Sequence, residues 1–440
     1  MRTLWTVRDV HADTPIRRRS LMASFLLLFV AIGLPSAASA TDEVPGDLDT
    51  SFGGDGWVAT EEEDWGWKSA MLIQPDGKIV VAGSYRHQVE VWRFLNSGEL
   101  DASFGGSGRV IIDLPGREGG AVAAALQPDG KIVVAGHAGL SLGVARFLPD
   151  GSLDPGFGEG DGISTIRIPR MRAQAHAIDV LADGRILIGG QVARQRLDRW
   201  GFERVVGMTL TLLTSAGSPD ATFGSAGTVR APFVFGDLSV DARGILVMGV
   251  DRKRANRVVL ARYTTVGLPD ASFAPGGRVG RSLGKRITLY DGEVVTDALG
   301  RTVVSITGES RRCFFGYGAL LRFNVDGSWD TSFSADGVAL RGCRALPDVT
   351  IQQDGRIVVA GEVFAGAGSG EYRPILARVA PDGTPDATFG TEGVVMSTPD
   401  SEFDYWAATA DVVIQADGKI VLLVGAIWLR SFALGRFLAA

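Results

Sequence analysis

The chain has 440 residues, more than one ordinary hydrophobic core holds, so it is either a few domains or one repeat array. Glycine is the outlying residue at 59 copies, and 44 basic against 50 acidic residues leave a formal net charge of −6. That balance repels nucleic acid and anionic lipid, and abundant glycine suits short strands joined by tight turns.

Residues 1–40 read as an export signal. "IRRRS" supplies a positive start, Leu21 to Leu34 is an apolar run of 14 residues, and Ala38-Ser39-Ala40 is a small-residue cleavage site. The run is too short to cross a bilayer comfortably, so cleavage is expected rather than anchoring. Arg18-Arg19-Ser20-Leu21-Met22 is similar to a twin-arginine export signal, although a plain basic n-region explains the same residues equally well. Removal takes away five Arg and two Asp, leaving 39 basic and 48 acidic residues and a net charge of about −9. No second long apolar segment follows. The expected mature chain, residues 41–440, is one domain without stable membrane insertion, exported to the periplasm, medium or surface of a bacterium.

From there on the sequence repeats. "QPDGKIVVAG" stands at 74–83 and again, letter for letter, at 127–136. A second motif, Asp-x-Ser/Thr-Phe, recurs with its phenylalanines at Phe52, Phe104, Phe157, Phe223, Phe273, Phe333 and Phe389. The spacing of 50 to 66 residues is that of a repeat architecture. Each unit reads as an apolar strand a, an Asp-Gly hairpin, a strand b such as "KIVVAG", a strand c such as "GVARFL", a Gly-rich turn and a brief strand d. Strand b is β-branched and apolar throughout, so both its faces should be buried.

Four-stranded units buried on both faces and repeated seven times predict an all-β fold, a seven-bladed β-propeller. A β-solenoid or a string of small sandwiches is the alternative. A strand-c arginine precedes the turn aspartate by eight residues in Arg93/Asp101, Arg146/Asp154, Arg262/Asp270, Arg322/Asp330 and Arg378/Asp386. The third repeat keeps Asp220 but has Leu212 in place of the arginine. Asp49 lacks a preceding arginine and Arg436 lacks a following aspartate. Docking "GWVAT" (56–60) beside "LGRFL" would complete the last blade, unite Arg436 with Asp49 and remove the exposed sheet edges. These arginines and aspartates are expected to be structural clamps.

The "LDxSFG" turn together with "QPDGKIVVAG" and "ARF" resembles the delta-60 repeat family of secreted or surface-associated bacterial proteins. The resemblance spans residues 46–440 and is weakest in repeats three to five. It implies a propeller-type fold and an extracellular setting, with no catalytic residues to carry over.

In an antiparallel a-b-c-d meander the constant a–b and c–d turns share one face, and the irregular b–c and d–a loops share the other. Variable loops on a rigid scaffold are where binding residues usually sit. Two loops stand out there, "EEEDWGW" (61–67) and "TPDSEFDYW" (398–406), which flank the same blade if the ring closes. Their Glu61, Glu62, Glu63, Asp64, Asp400, Glu402 and Asp404 lie beside Trp65, Trp67, Tyr405 and Trp406. Acids beside indole faces suit a glycan, a cation or a basic peptide, and plain rim packing explains the aromatics as well. Cys313 precedes strand c of the fifth unit and Cys343 follows its strand d, which puts both on the variable face as a disulfide.

His87, His137 and His176 come one from each of three units, a poor metal pattern, and no metal site or cofactor is expected. HExxH, CxxC, a Gly-x-Ser-x-Gly elbow and a phosphate loop are all absent from the sequence. "GEGDGIS" and "GGDGW" lack the ligand spacing of calcium loops and read as turns. Two functions remain: an exported monomer binding an extracellular protein or glycan, or a glycosidase or lyase using the acidic loops. N-terminal sequencing of the exported protein should read from Thr41; a retained leader would contradict the cleavage.

Overall fold

The computed structural model describes residues 44–60, 70–116, 119–194, 204–284, 286–313, 316–364, 372–398, 407–426 and 431–439; the expected export signal lies outside them. The described residues form seven separate antiparallel sheets, each a blade with strands a to d running outward from the axis. Blade 2 is typical, with strands Gly119–Leu126, Ile132–Ala138, Ser141–Phe147 and Ile163–Ile166. Blade 7 takes strands a to c from Ala407–Ile414, Ile420–Ala426 and Ser431–Phe437, and its strand d from Trp57–Ala59. Trp57 pairs with Gly435 and Ala59 with Ala433, so the ring closes as the repeat phase predicts.

Strand b sits between its sheet neighbours and faces apolar side chains from the blades on both sides. Ile132, Val133, Val134 and Ala135 are accordingly buried. Seven apolar clusters fill the spaces between adjacent blades. The seventh joins blade 7 to blade 1 through Val421, Leu434, Phe52, Val81 and Phe94. Each fully buried phenylalanine contributes about 1.5–3 kcal/mol.

Between these clusters runs a repeated polar clamp. In blade 2, Arg146 Nε donates to Asp154 Oδ2 at 2.8 Å, and its guanidinium lies 4.6 Å over the Phe157 ring. Its Nη1 donates to the Ser215 carbonyl of blade 3. Arg93, Arg322 and Arg378 repeat all three contacts, reaching the carbonyls of Pro149, Pro381 and Ala439. At the seam Arg436 Nε donates to Asp49 Oδ2 at 2.7 Å, lies 4.7 Å over Phe52, and donates to the Asn96 carbonyl of blade 1. Each clamp therefore orders its own c–d turn and ties it to the next blade.

The repeated decapeptide serves the same junctions. Gln127 Nε2 donates to the Gly184 carbonyl of the next blade's a–b turn, and Gln415 Nε2 does so to Gly77 across the seam. Lys131 lies 3.4 Å from the clamp aspartate Asp154. Gly130 takes φ +83°, which the hairpin requires. Gly136 faces a bulge in strand a, where a Cβ would meet the Gly120 carbonyl oxygen at 1.6 Å, so no larger residue fits.

Three blades depart from the pattern. In blade 3, Leu212 replaces the arginine and Arg185 Nη1 donates to Asp220 at 3.0 Å instead. In blade 4 the expected Arg262–Asp270 pair does not form: Arg262 still covers Phe273 at 4.6 Å, but its Nε and Nη2 have no hydrogen-bond partner. The a–b hairpin there is one residue shorter, pairing Val240 with Ile245, and puts Gly244 where other blades hold the second cation that positions the aspartate. In blade 5 the expected single strand a is split into Ile287–Asp291 and Val294–Thr296, interrupted at Gly292, whose Cβ would meet the Ser305 carbonyl oxygen at 2.2 Å.

Breaking a buried ion pair costs about 3–5 kcal/mol. Arg146→Ala should lose stability in that range by urea unfolding, and Arg262→Ala distinctly less. An unchanged midpoint for Arg146→Ala would contradict the clamp.

Candidate functional site

The seven strands a line a cavity on the propeller axis of about 490 Å³. Strand register sets what faces it. Counting three residues back from Val240, Thr296, Ile351 and Ile414, the strand-a residues paired with Ile245, Thr302, Ile357 and Ile420, gives Asp237, Glu293, Asp348 and Asp411 in blades 4 to 7. The same position in blades 1 to 3 holds Ala70, Ala123 and Ala177. One side of the cavity is thus acidic and the other apolar, with His176 of blade 3 on its wall.

Each carboxylate reaches the strand a of the following blade. Asp237 Oδ2 accepts the Val294 amide at 2.9 Å, and Glu293 Oε2 accepts that of Val349 at 2.9 Å. Asp348 accepts the Val412 amide, and Asp411 Oδ2 accepts that of Met71 at 2.6 Å, across the ring seam. Asp179 of blade 3 makes the corresponding bond to Val240 at 2.9 Å. These bonds are a second set of blade-to-blade links, on the inside of the ring.

Burial pushes Asp237 and Asp411 up to about 7, Asp237 with a further push from the nearby Asp291 and Asp179. Burial, then the charges of Asp237, Asp411 and Asp291, raises Glu293 well above the usual carboxylate range. Burial also takes Glu362 of blade 6 up to about 7. The clamp aspartates behave oppositely. Burial alone would raise Asp101, but the Ser103 hydroxyl and amide, Arg93 and Lys78 hold it at about 2.

The acids and aromatics singled out in the sequence, Glu61 to Trp67 and Asp400 to Trp406, lie outside the described residues. The strands they lead into, Ala70–Ile73 and Ala407–Ile414, are neighbours joined by the Met71–Asp411 bond, and Ala70 and Thr409 line the cavity. Cys313 and Cys343 form the expected disulfide, with Cα atoms 4.8 Å apart. Of the three described histidines only His176 lines the cavity; His137 is next to last in strand b of blade 2 and His87 is exposed in a b–c turn. Among the described residues no three His, Cys, Asp or Glu side chains are placed to hold a metal ion. Asp55 and Asp161, in the glycine-rich segments, accept the amides of Trp57 and Ile163 as ordinary turn residues. No helix of the described residues is long and apolar enough to cross a membrane.

Sequence reading missed the acidic arc, although each of its four members stands seven residues before an a–b turn glycine (Gly244, Gly300, Gly355 and Gly418) and is followed by leucine or valine. Strand register is the signal that aligns them.

The sign of the pH dependence follows from the raised values. Asp237, Glu293 and Asp411 bind protons more tightly folded than unfolded, so their stabilising effect is complete below about pH 4; that of Asp237 and Asp411 is lost as pH rises through 7, and that of Glu293 well above the usual carboxylate range. Asp411→Asn keeps an acceptor for Met71 without the charge. It should lose less stability than the wild type between pH 5 and pH 8, measured by urea midpoints. Parallel curves would contradict the assignment.

Residues 74–104, 127–157 and 352–389 match the family described as "Domain of unknown function (DUF5122) beta-propeller". Each segment runs from the glutamine of an a–b turn to the phenylalanine of the following clamp. No curated protein matches the chain in sequence. Among solved structures it is similar to virginiamycin B lyase from Staphylococcus aureus, at 9% identity and a TM-score of 0.45, over 86% of this chain and 98% of that one. A protein of unknown function from Dyadobacter fermentans is similar at 12% identity and 0.43, over 90% and 98%. A gluconolactonase from Xanthomonas campestris is similar at 15% identity and 0.38, over 72% and 94%. These likenesses concern the fold alone. The seven blades and the three matched repeats make the chain a β-propeller repeat protein.

Proposed function

We propose that this propeller is an exported, monomeric binding module of the delta-60 repeat type, taking an extracellular protein or glycan at the face that carries its b–c and d–a loops. The observation that carries this reading is the contrast between the two faces. On the constant-turn face the repeated Arg, Asp, Gln and Lys side chains are bonded to one another and to neighbouring blades. The b–c and d–a connections differ in sequence in every blade, and two segments rich in acids and aromatics precede in sequence strands that line the axial cavity.

A second reading has one observation in its favour. Asp237 and Asp411, at about 7 beside a cavity, have the ionisation that a general acid needs. Both already accept backbone amides between blades, which is a structural occupation and favours binding over catalysis.

A glycan array and an extracellular-protein panel, combined with a reducing-end assay on each bound glycan, test the two together. Binding without turnover is expected. Trp65→Ala with Trp406→Ala should weaken binding at least tenfold at an unchanged melting temperature. Reducing-end release from a bound glycan, or full affinity in the double variant, would overturn the binding reading.

A further inference from the structure

A second cleft lies on the outer rim, between strand d of blade 4 (Arg278–Ser282) and strands c and d of blade 5 (Tyr317–Phe323 and Val338–Gly342). It encloses about 540 Å³ and is lined by five arginines, Arg281, Arg286, Arg311, Arg312 and Arg341. Its one acidic lining residue, Asp336, is 3.1 Å from Arg341. In a chain with 50 acidic residues against 44 basic ones, this is a local inversion of charge. Arg281, Arg286, Arg311 and Arg312 are exposed and have no carboxylate partner among the described residues.

Arg281 and Arg341 have fixed contacts, and the backbone beside Arg312 and Arg341 is tied together. The disulfide ties Cys313, next to Arg312, to Cys343, two residues beyond Arg341. Arg281 lies 4.6 Å over the indole of Trp329, and the Trp329 Nε1 donates to the Asp336 carbonyl at 2.7 Å. Every other blade has leucine or proline at the Trp329 position, so the cleft belongs to blade 5 and not to the repeat. Between the guanidinium groups lie apolar Leu283, Ile287 and Val338 and the hydroxyls of Ser282 and Ser310.

We propose that this cleft binds an acidic polysaccharide, one linear chain carrying carboxylate or sulfate on successive sugars. Guanidinium groups pair with such planar or tetrahedral oxyanions through two hydrogen bonds at once. The apolar floor matches the C–H faces of a sugar ring, and the serines match its hydroxyls. The volume is that of a small-ligand site, which excludes a nucleic-acid duplex or a bilayer surface. Single-stranded nucleic acid needs open aromatic faces for its bases. Tyr317 is buried and Trp329 is covered by Arg281, so the cleft does not supply them. The disulfide fixes the backbone that carries Arg312 and Arg341 before the ligand arrives, which lowers the ordering cost of binding. One end of the cleft is formed by the b–c loop of blade 5 and the d–a connection before it, so the proposal rests on the variable-face reading for its position but not on the loops that carry Trp65 and Trp406.

Titration calorimetry on the oxidised full-length protein tests it, with a galacturonate hexamer, a heparin-derived hexasaccharide, a neutral dextran hexamer and a ten-nucleotide single strand as probes. One or both acidic sugars should bind, more weakly as salt rises, and dextran should not. The comparison of carboxylate with sulfate probe identifies the preferred charge. Arg311→Ala with Arg312→Ala should weaken binding at least tenfold at an unchanged melting temperature, and the corresponding pair of lysine substitutions should fall between. Trp65→Ala with Trp406→Ala should leave this binding intact. Absence of binding by both acidic sugars, equal affinity in the alanine double variant, or tighter binding of the oligonucleotide would each overturn the proposal.

Discussion

A buried guanidinium is costly unless its donors are satisfied, and that constraint organises this ring. Arg436 meets it with three kinds of partner: the Asp49 carboxylate, the Phe52 ring face and the Asn96 carbonyl of the next blade. Asp49 and Phe52 come from the N-terminal segment and Asn96 from blade 1, so satisfying this one side chain requires the ring to be shut. The apolar cluster around Phe52, Leu434 and Val81 then fills the space that the closure defines. The same geometry at Arg93, Arg146, Arg322 and Arg378 gives four of the six remaining junctions a polar fastening beside the apolar one.

Near the axis the fastening is different in kind. Carboxylates of strand a accept amides from the next blade in blades 3 to 7, and alanines hold the aligned position in blades 1 to 3. The outer clamp aspartates are held ionised by cations and hydroxyls, whereas burial raises Asp237, Glu293 and Asp411. The ring is thus tied by charge at the turns and by carboxyl groups of lower charge inside. Two sets of links under opposite electrostatic regimes leave the loops of the other face free to vary.

The fold was legible because its causes are local and recur. The Asp-Gly hairpin, the apolar strand b and the eight-residue Arg–Asp interval each solve a problem posed once per blade, so seven copies reveal blade count and phase. The phase alone located the seam at Trp57–Ala59 and Ser431–Phe437. Arg262 shows the limit of such reasoning: the interval to Asp270 is right, but a shortened hairpin removes the cation that would place the aspartate. The arginine cleft was not legible because it is not local, and the axial arc was missed because its fixed offset from the a–b turn carries acids in only four blades and alanines in the other three. Asp237 and Asp411 sit in dissimilar strands, and Arg281, Arg311 and Arg341 meet only once two blades are packed. The candidate loops at 61–67 and 398–406 were found by composition, and the structure adds that the strands following them are neighbours.

The closed ring is the claim on which everything else rests, and amide hydrogen exchange tests it most directly. In a closed ring Trp57 to Ala59 belong to blade 7, so their amides should exchange as slowly as those of their partners Ala433 to Gly435. Exchange of the Trp57 to Ala59 amides at the rate of an open loop, with Ala433 to Gly435 exposed as a free edge, would contradict it.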